Sequence, residues 1–91
     1  MGLSLGLAAC AGAPVQEMSN ARQAIKAARD ASAATTRPAS LIEAETLLNR
    51  AEDNLQKRAY KQARRDAIAA RGKAAEALSS TRTADDRNGA S

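Results

Sequence analysis

Residues 37–70, "RPASLIEAETLLNRAEDNLQKRAYKQARRDAIAA", decide the fold. Leu41, Ala44, Leu48, Ala51 and Leu55 recur at spacings of three and four, as do Tyr60, Ala63, Ala67 and Ala70. Each set draws one apolar stripe along a helix. The first arm runs to about Lys57 and the second begins at Tyr60, a break so short that the helices carrying the stripes are antiparallel neighbours. An αα-hairpin is predicted. Pro38 suits the first turn of its first arm, and Ser40 with Glu43 has the spacing of a capping box, so either device starts that helix near 38–40.

The same spacing extends outward in both directions. Upstream, Met18, Ala21, Ile25 and Ala28 form a third stripe, set off from the hairpin by "SAATTRP", in which hydroxyl residues lead into Pro38. Downstream, Ala74 and Ala77 continue the stripe that begins at Tyr60. The prediction is an all-α fold, a small three-helix bundle with helices over about 16–33, 39–57 and 60–78. The end, "SSTRTADDRNGAS", is polar and aperiodic and reads as a disordered tail over 79–91. The same stripes also fit an alanine zipper, in which one or two long helices self-associate.

Composition bounds the core. Tyr60 is the only aromatic residue of 91, and alanine dominates the apolar content, so each buried side chain removes little area from water. Close helix packing compensates for this. Tyr60, at the hairpin turn, is the expected structural anchor, with its ring between the second and third helices and its hydroxyl in water. The net charge is +4. Residues 41–56 hold four acids against Arg50, whereas residues 57–73 hold seven cations against Asp66. An acidic arm is therefore expected to face a basic one, selecting register more than adding stability. Lys61, Arg64 and Arg65 are the candidates for binding an anion.

The single cysteine lies elsewhere. Leu7-Ala8-Ala9-Cys10 has the form of a lipobox, with an aliphatic residue at −3, small residues at −2 and −1 where a signal peptidase must reach the backbone, and a thiol to receive a diacylglyceryl group. Ala11-Gly12-Ala13-Pro14 then breaks any helix. Residues 1–9 read as a truncated lipoprotein signal peptide and residues 10–15 as the acylated N-terminus and linker to the helical domain, 16–78. A secretory signal opens with positive charge, and Met1–Ala9 has none, so the true start is expected further upstream with Lys or Arg before Gly2. Nine residues do not cross a hydrocarbon core that takes about 20, which leaves acyl chains as the anchor.

The order of these features resembles a known family. The lipobox, "AIKAARDA", "RPASLIEAETLLNRAEDNL" and a tyrosine turn followed by Ala63, Ala67, Ala70 and Ala74 are similar to the bacterial lipoproteins grouped as domain of unknown function 4398. That resemblance runs from Cys10 to about Leu78. It implies tetratricopeptide-like helical hairpins, a location in the cell envelope and no catalytic residues. Such lipoproteins commonly turn with Gly-Asp-Tyr where this chain has Arg58-Ala59-Tyr60, so either the second helix stops before Arg58 or it continues through Arg58 or Ala59. Ala11 lacks the aspartate that retains many such lipoproteins at the inner membrane, so the resemblance implies the periplasmic face of the outer membrane.

Chemistry is sparse by comparison. The chain has no histidine, and its one thiol is expected to be acylated, the other reading being a free cysteine in a short buried segment, so the usual general bases and nucleophiles are missing. An enzyme is not expected, nor a cofactor. Glu45 and Glu52, seven apart on one helix face, lack the oxygen-rich loop of a cation site and read as exposed helix charges, so no metal is expected. One aromatic ring makes no stacking platform for nucleic acid. The expected partners are the membrane, through N-terminal acyl chains, and an envelope protein or peptidoglycan-associated partner, with a homo-oligomer as the zipper alternative. If the chain is not exported, the reading becomes a small basic cytosolic helical binding protein.

Overall fold

The computed structural model describes residues 12–90. Three helices follow in order: α1 over Val15–Ala31, α2 over Ala39–Gln56 and α3 over Tyr60–Ala90. The all-α bundle predicted from the stripes is what forms.

Local chemistry sets the boundaries. Buried Pro14 precedes α1, and its carbonyl accepts the Met18 N–H at 3.0 Å. At the other end the Ser32 hydroxyl and N–H both donate to the Ala28 carbonyl, at 2.9 and 3.1 Å, ending α1 two residues before the expected 33. Pro38 stands just outside α2 in an extended conformation, and its carbonyl accepts from Leu41 and Ile42. No side chain caps that end, so the capping box expected of Ser40 and Glu43 is not made, and Ser40 lies within the helix.

The turn at 57–59 resolves the question left by the missing glycine. Arg58 adopts φ 61°, the left-handed region, and α2 stops at Gln56. The Ala59 N–H donates to Asn54 O at 2.8 Å and the Arg58 N–H to Leu55 O at 3.0 Å, the paired bonds of a Schellman motif. Ala59 in turn accepts from the Ala63 N–H, so one residue ends one helix and starts the next. A left-handed residue with a Cβ is disfavoured by about 1–2 kcal/mol. Because Arg58 is exposed, Arg58→Gly is expected to stabilise the fold by about 1 kcal/mol in urea unfolding. Destabilisation by this variant would mean that the left-handed turn is not formed.

Cross-helix pairs fix the topology. Glu17 meets Arg64 at 3.6 Å, so α1 and α3 begin at the same end and run parallel. Arg22 pairs with Glu52 and Arg29 with Glu45, at 3.3 and 2.7 Å, which sets α2 antiparallel to α1. Lys73 reaches Glu43 at 3.4 Å, and Asn54 donates to Asp66 at 2.9 Å, which sets α2 antiparallel to α3 as well. The acids of α2 are thus answered mainly from α1, correcting the expectation that the basic arm of the hairpin would face them. Only Lys73–Glu43 spans the hairpin in that sense, and Arg50–Asp66 spans it in the reverse one, at 4.0 Å.

The core is a spine of small residues. Ala63, Ala67, Ala70, Ala74 and Ala77 of α3 are all fully buried, and α3 packs on both other helices while α1 and α2 share a much smaller contact. Met18 and Ile25 from α1 and Leu41 from α2 fill the space beside that spine, with Leu47, Leu48 and Leu55 at its margin. The third helix also passes the boundary expected at Leu78 and continues to Ala90. Buried Thr81 extends the stripe four residues beyond Ala77, its hydroxyl donating to the Ala77 carbonyl at 3.0 Å. Thr83 does the same to Ser79 at 3.0 Å. These hydroxyls bond back to carbonyls of their own helix in a stretch with no large apolar side chain.

Candidate functional site

The end of the bundle where α1 and α3 begin collects most of what the sequence singled out. Tyr60, the first residue of α3, is half-buried there. A Cβ placed on Gly12 would sit 3.5 Å from its Cδ2 and Cε2, so the ring lies against the backbone of the chain entering α1. With Pro14 fully buried, the linker is docked from Gly12 onward. Cys10, with Leu7, Ala8 and Ala9, lies outside the described residues.

Cations surround the same end. Residues 57–65 contain Lys57, Arg58, Lys61, Arg64 and Arg65 and no carboxylate. Lys57 pairs with Asp53 at 3.0 Å, and Arg64 leans on α1 to meet Glu17. Arg58, Lys61 and Arg65 are exposed, and among the described residues no carboxylate lies within ion-pair distance of them. Arg65 borders a shallow groove between α2 and α3 with Arg50, Asn54, Gln62 and Asp66, a groove that includes neither Lys61 nor Arg64. The three residues marked for anion binding therefore spread over a surface instead of converging on a pocket. Val15, at the start of α1, adds an exposed aliphatic side chain at the same end, 64% exposed.

Elsewhere, carboxylates pair within the fold. Glu45 accepts from Arg29 and from Arg37, and Glu52 pairs with Arg22, so guanidinium groups occupy both carboxylates once weighed as a cation site. No group of three or more metal-ligating side chains forms among the described residues. Lys73 sits between Glu43 and Glu76, whose charges, Glu43 first, raise its pKa above the ordinary lysine value. Such a raised value gives a stabilisation fully present below the ordinary lysine pKa and lost as pH rises through the folded one, so it persists at neutral pH. None of the described helices is long and apolar enough to cross a membrane.

Comparison with family models, with curated proteins and with solved structures returns no match for this chain.

Proposed function

We propose that the chain is a lipid-anchored protein of the bacterial cell envelope, related to the family of domain of unknown function 4398. Its helical bundle acts as a scaffold or interaction module at the periplasmic face of the outer membrane. The observation that carries this reading is Leu7-Ala8-Ala9-Cys10, with its only thiol at the position of acylation, joined by one residue to a linker docked on the bundle. A binding role in place of a catalytic one is favoured by the absence of histidine and by surface carboxylates neutralised within the fold. Self-association through the alanine stripe is less favoured, because all five alanines from Ala63 to Ala77 on that stripe are covered within a single chain.

The thiol is the test. Cys10→Ser removes the only group able to take the diacylglyceryl chain, and is expected to abolish metabolic labelling with palmitate and to move the protein from the membrane to the soluble fraction. Labelling that persists in the variant would defeat the anchor reading.

A further inference from the structure

We propose that the cationic end formed by Arg58, Lys61 and Arg65 is a membrane-docking surface that binds the anionic headgroups of the bilayer to which Cys10 is tethered, an inference that rests on the anchor reading above. Tether length is the first reason. Gly12 lies against the Tyr60 ring, and two residues of chain, which reach at most about 7 Å, separate it from Cys10 in sequence, so acyl chains on Cys10 would bring this end of the bundle to the headgroups. The Debye length at physiological salt is about 8 Å. Lys61 and Arg65 lie about 2 and 8 Å along α3 from Tyr60 at 1.5 Å per residue, within that range, whereas Arg71 and Arg82 lie about 16 and 33 Å along it.

Geometry favours a surface over a discrete ligand. The cations spread over the turn and the first turns of α3, Arg65 toward α2 and Arg64 toward α1, as suits a plane of headgroups and not one small anion. Side chains on a helix tilt toward its N-terminus, so those of Lys61 and Arg65 lean to the tethered end. Exposed Val15 supplies an aliphatic contact at the same end. Arg58 at the left-handed turn position is exposed and adds a third cation at this end. Several acyl chains on Cys10 give stable attachment by themselves, so the basic patch sets how the bundle lies on the surface and not whether it is held there.

The test alkylates the full chain at Cys10, its only thiol, with a single myristoyl-maleimide. One acyl chain alone binds marginally, so surface charge decides how much protein partitions onto vesicles. Partitioning is measured on phosphatidylglycerol–phosphatidylcholine vesicles and on pure phosphatidylcholine. Binding should be stronger on the anionic vesicles and fall with salt, and Lys61→Gln with Arg65→Gln should weaken it about 25-fold, about fivefold for each charge. The charge-matched pair Arg71→Gln with Arg82→Gln should stay within about threefold of the parent. Circular dichroism of each pair checks that helicity is kept. Equal loss from both pairs, no preference for anionic vesicles, or capture of inorganic polyphosphate in place of vesicles would overturn the proposal. Since the acyl chain is attached chemically, these outcomes do not depend on whether cells acylate Cys10, and failure of the anchor reading remains separate.

Discussion

Ile25→Ala is expected to destabilise the bundle by about 2–5 kcal/mol, the range for truncating a large aliphatic side chain in a closed core. Ile25 is 1% exposed and is one of three large aliphatic or thioether side chains, with Met18 and Leu41, that fill the space beside the alanine spine. With so few large residues inside, the neighbours have little bulk with which to collapse onto the cavity. A domain of this size has a total stability of about 5–10 kcal/mol, so the loss takes up a large part of it. Ile42→Ala is the matched control: Ile42 is 51% exposed, and its truncation should change stability by no more than about 0.5 kcal/mol. Urea unfolding of both variants beside the parent reads the difference. Equal and small effects would mean that α1 does not pack on α3 as described.

Adding bulk to the spine should also destabilise, against the usual gain from a larger apolar side chain. Ala70 is fully buried where α3 meets both other helices, and Ala70→Leu adds three carbons where the backbones approach closely. Overpacking of this kind costs about 1–3 kcal/mol. Ala69→Leu, next to it on the exposed face, changes neither packing nor helix propensity much and should fall within about 0.5 kcal/mol of the parent. Thermal melts at several protein concentrations distinguish the folded-back bundle from a zipper. In the bundle, Ala70→Leu lowers the midpoint equally at every concentration. If it instead raised the midpoint and made it depend on concentration, the alanine stripe would be an interface between chains.

The three stripes were legible in the sequence because apolar residues at spacings of three and four mark one face of a helix, and every alanine from Ala63 to Ala77 on that stripe is indeed buried. What periodicity along one helix does not contain is the arrangement of the helices around each other. Arg22 and Arg29 answer the acids of α2 because the loop at 32–38 folds α1 back beside it, a relation that charge sums over separate segments do not reveal. The run past Leu78 was hidden for a different reason: hydroxyl residues read equally well as coil, and here Thr81 and Thr83 turn their hydroxyls onto carbonyls four residues back within the helix. At the turn, only Arg58 in a left-handed conformation completes the Schellman bonds, where its residue type argues against that conformation. The cationic end came half from each source. Its cations stand in the sequence, but the contact of Gly12 with Tyr60 that brings the linker to them is tertiary.

The N-terminus of the protein recovered from cell membranes decides the proposed anchor most directly. Trypsin's first cleavage in the chain falls after Arg22, so one peptide reports the whole processing event. Mass spectrometry is expected to find that peptide beginning at Cys10 and carrying a diacylglyceryl group on the thiol and an acyl chain on the new amine. A peptide that still carries residues 1–9 and a free thiol would contradict the anchor.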